Sequence, residues 1–172
     1  MKGQSEIVTF VLLFLIGLLL FAAAIAWSGG IFQKNVDIGK TTVAENFIGE
    51  VDSSIQSVIK NGGSRTIDYR VSGTIELTDA GYNDAIEIKT SMTANIPRYW
   101  INITRPGSLG TIREMLDGTV LRIQLSYPEQ DNYAIDLFTD GPKAAQPERI
   151  TIEKNDTFID NGKTIIRIKL TF

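Results

Sequence analysis

Residues Ile7–Trp27, IVTFVLLFLIGLLLFAAAIAW, form an apolar run of 21 residues that contains no charge, and Thr9 is its one clearly polar side chain. As an α-helix this run is about 31 Å long, close to the thickness of the hydrocarbon core of a bilayer. Lys2 precedes the run, and Trp27 ends it with an amphipathic ring that suits the membrane interface. By the positive-inside rule we expect the amino terminus in the cytoplasm and the rest of the chain outside the membrane.

Three interpretations of this apolar run are open. A secretory signal would be cleaved after the small-x-small sequence Ala24-Ile25-Ala26. However, the run is longer than the roughly 7–15 apolar residues of such signals, and Glu6 lies directly before it. An uncleaved signal anchor would simply hold the chain in the membrane. A pilin-type helix would stay on the mature protein and pack with copies of itself, and we favour this third interpretation.

The residues before the apolar run carry a family resemblance. The sequence Lys2–Val8, KGQSEIV, together with the run that follows, resembles the class III signal region of archaeal type IV pilins and archaellins. In that family a peptidase removes a short basic leader on the cytoplasmic side, and the apolar helix stays on the mature protein. The resemblance implies processing between Gly3 and Gln4. It also implies that Glu6 takes the place of the family's acidic residue near the new amino terminus, as the third mature residue rather than the fifth.

Glu6 is the acidic residue next to the apolar run, and two roles are open for it. A carboxylate beside a helix that spans hydrocarbon is costly unless it is paired or held at the interface. The resemblance implies that Glu6 pairs with the free amine of Gln4 in a neighbouring subunit. The alternative is a solvated Glu6 at the helix N-terminus, where the macrodipole favours an acidic residue.

The segment after the apolar run has the pattern of an amphipathic helix. Ser28-Gly29-Gly30 predicts a break or hinge first, because glycine interrupts helices. Between Ile31 and Lys60 apolar residues then recur mostly at steps of three and four. These residues are Val36, Val43, Phe47, Val51, Ile55 and the pair Val58 and Ile59.

Capping signals mark the two ends of this amphipathic helix. Thr42 and Glu45 have the spacing of a capping box, which predicts a helix start near residue 43. Asn61-Gly62-Gly63 predicts the end, since glycine tolerates the left-handed conformation that terminates helices. Three segments follow from these signals. They are 1–30, a leader and apolar membrane or filament-core helix; 31–63, an amphipathic helical connector; and 64–172, an antiparallel β-sandwich.

Beyond Arg65 apolar and polar residues alternate, which predicts β-strands with one buried and one exposed face. The clearest alternation is Ile166–Phe172, and Thr66–Leu77 has the pattern of one strand. Strands of this kind are typical of antiparallel sheets. Asp160-Asn161-Gly162 favours a tight hairpin, and residues 108–116 are expected to form a short helical insertion. The predicted fold class is therefore α+β, a long N-terminal hydrophobic helix followed by an antiparallel β-sandwich.

The composition offers little for catalysis. Histidine and cysteine are absent, and histidine is both the commonest general base and the commonest metal ligand. No nucleophile pair or phosphate-binding glycine loop occurs at a diagnostic spacing, and we predict no enzyme activity, catalytic residue or cofactor. Asp79, Asn83 and Asp84 could offer oxygen ligands to Ca²⁺, but they do not match an EF-hand, so a polar turn rather than a metal site is expected. A net charge of −3 and a pI near 5.0 argue against binding to nucleic acid.

Two N-glycosylation sequons are present, Asn102-Ile103-Thr104 and Asn155-Asp156-Thr157. The alternation places Asn102 on the polar face of a strand. Asn155 is expected in a turn, which makes it the better acceptor of the two. Both are candidate sites, with ordinary polar surface residues as the alternative.

We therefore expect a structural subunit of an archaeal cell-surface filament. Its partners would be copies of itself in a helical homopolymer, the cytoplasmic membrane before assembly, and, by resemblance, a prepilin peptidase and a pilus assembly machinery. The β domain would lie outside the membrane. The alternative is an uncleaved, membrane-anchored accessory or stator protein of a pilus or archaellum, and a released β domain beginning at Trp27 is a third interpretation.

Overall fold

The predicted α+β class is confirmed: one long N-terminal apolar helix precedes two mostly antiparallel β-sheets. The computed structural model describes residues 2–78, 84–96, 99–103 and 105–172, and for residues 2–6 and 94–96 it describes the backbone alone. Contacts divide the chain into two compact units, residues 1–38 and residues 39–172. The first unit consists of helix, and the second contains the end of that helix and both sheets.

The helix and the strands are numbered in chain order. They are α1 (Lys2–Asn61), β1 (Ser64–Asp68), β2 (Gly73–Thr78), β3 (Ala85–Ile96), β4 (Ile101–Ile103), β5 (Thr111–Ser126), β6 (Tyr133–Phe138), β7 (Ala144–Ala145), β8 (Arg149–Asp160) and β9 (Lys163–Thr171).

Helix α1 continues through the positions where the sequence predicted interruptions. The predicted break at Ser28-Gly29-Gly30 is wrong, and Thr42 lies inside the helix rather than at a start. A glycine in a helix costs only about 1 kcal/mol relative to alanine, which good helix formers on both sides offset. The end of α1 is confirmed: Gly62 has φ 71° and its N–H donates to the Val58 carbonyl at 2.9 Å, a left-handed helix cap.

The strands form a four-stranded sheet of order β1-β8-β9-β6 and a five-stranded sheet of order β4-β5-β3-β2-β7. All neighbours are antiparallel except β6 and β9, which are parallel. Strands β8 and β9 form an antiparallel pair, so β9 runs opposite to β8 and in the same direction as its other neighbour, β6. Alternation of apolar residues does not report strand direction, and the expectation of a purely antiparallel sandwich is corrected at this one pair.

Two local sequence interpretations are wrong. Thr66–Leu77 is not one strand, because β1 ends at Asp68 and β2 begins at Gly73, and the two strands belong to different sheets. Residues 108–116 contain no helix, since β5 begins at Thr111. Both sheets need apolar residues on one face, so the alternation continues across a change of sheet without marking it.

The hairpin between β8 and β9 is confirmed. Asn161 and Gly162 have φ of 49° and 81°, the positive values that a type I′ turn requires at both central positions. Asp160 pairs with Lys163 directly across this two-residue turn. The turn sets the register of the final strand, so that Ile168 and Leu170 are buried.

Strand β5 folds back on itself near Gly118, which has φ 65°. The Arg113 Nε donates to Gln124 Oε1 at 2.6 Å, although a straight strand would separate residues eleven apart by about 36 Å. Residues 112–114 pair with β4, whereas β3 pairs with residues 118–126. The Arg113 guanidinium lies 4.5 Å from the Trp100 ring centroid, a cation–π contact over the folded strand.

The hydrophobic core of the second unit joins α1 to both sheets. Val43, predicted on the apolar face of the helix, is 43% exposed, whereas Ala44 and Ile48 are fully buried. Phe47 meets Tyr69 edge to face, with ring centroids 5.1 Å apart. The fully buried large side chains of this unit are Ile48, Ile55, Ile75, Ile86, Ile88, Ile112, Ile123, Leu125, Ile150, Ile152, Ile165 and Ile168.

We expect Gly73→Ala to destabilise the second unit by about 1–3 kcal/mol, because overpacking forces the backbone to move. A Cβ at Gly73 would overlap the Lys89 carbonyl oxygen on the paired strand β3. The measurement is urea unfolding of the full chain in detergent micelles, followed by near-UV circular dichroism. Gly141→Ala is the control, since the nearest atom there is Thr139 Oγ1 at 3.6 Å. Equal unfolding midpoints for the two variants would contradict the predicted overlap.

Candidate functional site

The first unit exposes a continuous apolar surface. Every large apolar side chain between Ile7 and Trp27 is 45–75% exposed. Helix α1 is the one helix in the described part of the chain that is long and apolar enough to cross a membrane, and none of its apolar window is buried. Burial of apolar surface is worth about 25 cal/mol per Å², so an apolar surface of this size needs lipid or protein around it.

The apolar surface continues past Trp27. Ile31, Phe32 and Ile38 are 44%, 66% and 54% exposed, although polar residues now lie between Phe32 and Ile38. From Ile7 to Ile38 the helix is about 48 Å long, whereas the hydrocarbon core of a bilayer is about 30 Å thick. A bilayer that covers the first part therefore leaves the last part uncovered.

The sequence analysis treated residues 31–60 as a helix of the folded domain, and it missed this second exposed stretch. Ile31 and Ile38 stand outside the three- and four-residue series that predicted the buried face, whereas Phe32 lies four positions before its first member, Val36. The departure of Ile31 and Ile38 from that series was the available signal. It indicates a second apolar direction on the same helix.

The residues of the predicted processing site lie at the start of α1. Gly3 and Gln4 are in its first turn, and Glu6 follows in the same helix. The side chains of these residues are outside the description, so the two roles predicted for Glu6 stay predictions. A helix N-terminus favours an acidic residue in either role.

The two sequon asparagines lie far apart in the topology. Asn102 is exposed in β4, opposite Arg113 of β5, and Thr104 lies outside the described residues. The prediction that Asn155 lies in a turn is wrong. It lies inside β8, where the register shifts between Lys154 and Asp156. Such a bulge leaves one residue unpaired, and Asn155 is exposed there. The structure thus keeps both as accessible side chains.

Asp84 serves the fold and does not face an open loop. It is buried, and the Leu137 N–H of β6 donates to its Oδ2 at 3.2 Å. Asp84 directly precedes β3, and β3 and β6 belong to different sheets, so this carboxylate links the two sheets. Asp79 and Asn83 lie outside the described residues. Within the described ranges no group of three or more acidic side chains is placed to hold a metal ion.

A polar cleft lies between the end of α1 and the loop at residues 105–108. Its volume is about 380 Å³. The buried Asp52 forms its floor: Tyr127 Oη donates to Oδ1 at 2.7 Å, and Gln56 Nε2 donates to Oδ2 at 2.8 Å. Burial, with the Asp52 charge and hydrogen bond, raises the pKa of Tyr127 well above its ordinary value. Gln56 also donates to the Gly107 carbonyl at 2.9 Å, so the loop is bound to the helix.

Arg105 makes the second connection across this cleft. Its Nη2 donates to the Glu45 carbonyl at 2.8 Å and to Asn46 Oδ1 at 3.2 Å. The guanidinium lies where a Cβ would stand on Gly49. Because Gly49 has no side chain, the Arg105 guanidinium can lie against the helix at this position. The lining groups of the cleft bind one another, which explains how the loop is held in place.

Two carboxyl groups meet where α1 contacts the folded strand β5. Burial raises the pKa of Glu114, and the neighbouring Glu45 raises it further through its charge and a hydrogen bond. Oε2 of Glu114 is buried and has no hydrogen-bond partner among the described atoms. A carboxyl in this setting holds a proton more readily than one in water.

No protein-family model, curated protein or solved structure matches this chain. The function is therefore argued from the surfaces described above. Of these, the apolar surface of the first unit is the largest uncovered feature. The polar groups of the second unit bind mainly to one another and stabilise the fold.

We expect Glu114→Gln to raise the unfolding midpoint of the second unit at about pH 7.5 and to give a smaller gain near pH 4. Because the folded-state pKa of Glu114 is raised above its ordinary value of 4.5, its stabilising contribution is complete below that value and is lost as pH rises through the folded pKa. The measurement is urea unfolding of the full chain in micelles at both pH values.

Glu50→Gln is the matched control, because it removes the same charge at an exposed position of α1. Its effect is expected to change much less between the two pH values. A Glu114→Gln variant with the same gain at both pH values would show that the glutamate is not held as a buried acid.

Proposed function

We propose that this chain is a structural subunit of a cell-surface filament, similar to archaeal type IV pilins, and that it polymerises through the apolar helix of its first unit. The β domain then lies outside the membrane. One observation carries the proposal. The exposed apolar surface from Ile7 to Ile38 is longer than a bilayer is thick, so lipid alone does not cover it.

A bundle of like helices covers this apolar surface along its whole length. Leu, Phe, Ala and small residues pack as well against like helices as against lipid, so the helix exchanges one environment for the other at little cost. Residues 7–27 are covered by lipid before assembly. Ile31, Phe32 and Ile38 gain cover only when neighbouring subunits arrive, which favours assembly over a permanent anchor.

The leader residues support the same proposal by resemblance. Processing between Gly3 and Gln4 would free an amine close to Glu6, and pairing of that amine with Glu6 of a neighbour would neutralise two charges beside an apolar bundle. The role is structural, and we propose no reaction for the chain.

The test is the amino-terminal residue of the native protein together with electron microscopy of the cell surface. We expect Gln4 as the first residue and filaments in which the chain is the main component. A chain that begins at Met1 on cells without such filaments would overturn the proposal in favour of the anchored accessory protein. A chain that begins at Trp27 would indicate a released domain.

We expect Glu6→Gln to lower the yield of filaments about tenfold while the chain still enters the membrane, because a lost charge pair in an apolar setting is worth over 1 kcal/mol. Glu6→Asp keeps the charge and is expected to restore part of the yield. The measurement is the amount of chain in sheared filaments relative to the membrane fraction. Equal yields for Glu6→Gln and the unaltered chain would favour the solvated role of Glu6.

A further inference from the structure

We propose that the polar cleft at the end of α1 binds a saccharide, and that a sugar unit with a carboxylate fits it best. The cleft lies within the second unit, between residues 49–61 of the helix and the loop at residues 105–108. This inference does not rest on the proposed filament, because the second unit carries the cleft whether or not the chain polymerises.

The helical wall of the cleft is polar along its whole length. Residues 49, 52, 53, 56, 57, 60 and 61 line it, and they follow one face of α1. Apart from Gly49, each of them has a polar or charged side chain. An apolar ligand would therefore bury little surface there, whereas hydroxyl groups find donors and acceptors in every turn. The volume of about 380 Å³ lies within the roughly 300–1,000 Å³ of ligand sites in proteins.

The charged groups of the cleft are already held in place. Asp52 is buried and accepts hydrogen bonds from Tyr127 and Gln56. Arg105 donates to two acceptors on α1 and lies against the helix at Gly49. Groups that are fixed before a ligand arrives lose little conformational freedom on binding, which favours affinity from a small number of contacts.

These groups also keep hydrogen-bonding capacity that the fold does not use. Asp52 accepts one bond at each oxygen, whereas a carboxylate can accept about four. Arg105 makes its bonds to α1 through Nη2 alone. Ser57 Oγ accepts from Asn61 Nδ2 at 3.3 Å, and its own proton meets no acceptor among the described residues. Donors and acceptors thus occur side by side, which matches sugar hydroxyls because each hydroxyl both donates and accepts.

The charge of the cleft favours an acidic sugar over a neutral one. Lys60 is exposed and makes no ion pair with a side chain that the structure describes. Lys60 and Arg105 give two positive charges against Asp52, in a chain whose net charge is −3. A sugar carboxylate would pair with these cations.

The helix end in the cleft disfavours a bare anion. The last carbonyls of α1 carry partial negative charge and have no partners within the helix, and they lie near Lys60 and Asn61. Sugar hydroxyls donate to such carbonyls, and a small inorganic anion without hydroxyl groups cannot. An acidic saccharide therefore fits both the cations and the helix end.

Saturation-transfer NMR on the full chain tests the cleft, with the chain held in micelles of a detergent that has no sugar headgroup. The probes are glucuronate, glucose and acetate, each added alone. We expect glucuronate to bind with a Kd of about 1 mM and glucose about tenfold more weakly. Acetate, which has the carboxylate without the hydroxyl groups, is expected to give no transfer.

Two variants assign the binding to the cleft. Lys60→Gln removes a cation, and we expect it to weaken glucuronate binding about tenfold while glucose binding stays within about twofold. Ser57→Leu fills the cleft and is expected to abolish both. Lys34→Gln makes the charge change of Lys60→Gln at an exposed position of α1 in the first unit, and is expected to leave binding within about twofold. The urea unfolding midpoint, followed by near-UV circular dichroism, checks the fold of each variant.

Three outcomes would overturn the saccharide cleft. They are no transfer to glucuronate or glucose at about ten times the expected Kd, equal binding by the unaltered chain and both cleft variants, and acetate binding as strong as glucuronate binding. The test is separate from that of the filament. Filaments from a chain that binds no sugar would leave the filament proposal standing, and sugar binding by a chain that forms no filament would support the cleft alone.

Discussion

The exclusion of water from the apolar helix is the constraint on which the rest depends. Its large side chains from Ile7 to Trp27 are all substantially exposed, and the exposure continues to Ile38. Residues 39–172 bury their own core and do not need that segment to complete it. By length and composition this helix could cross a membrane, with lipid over about 30 Å of its length. In the proposed filament, copies of the chain cover the whole apolar helix.

The second unit is stabilised mainly by packing, with a few buried polar contacts that specify how the helix meets the sheets. Asp52 accepts hydrogen bonds from Tyr127 and Gln56, and Asp84 links the two sheets through the Leu137 N–H. Buried carboxylates are tolerated when their oxygens are bound in this way. Without cysteine, no disulfide contributes to the stability of this unit, and a unit of this size buries enough apolar surface without one.

Sequence reasoning found the candidate surface but not its length. The apolar run was visible because 21 residues without a charge are rare outside membranes. Phe32 and Ile38 were not recognised, because polar neighbours hide single apolar residues and their exposure depends on which helix face the sheets cover. Asn155 shows the same limit within the second unit: a bulge inside β8 has the sequence of a turn.

The sequence by itself determined that a long helix precedes the β-strands, that the helix ends at Gly62 and that a hairpin forms at Asn161-Gly162, because local conformational preferences control these features. Tertiary structure decided the division of Thr66–Leu77 between two sheets and the parallel pairing of β6 with β9. It also decided that β5 folds back on itself and brings Arg113 to Gln124. Alternation records which face of a strand is buried. It does not record the neighbouring strand, and only packing of the whole unit selects that neighbour.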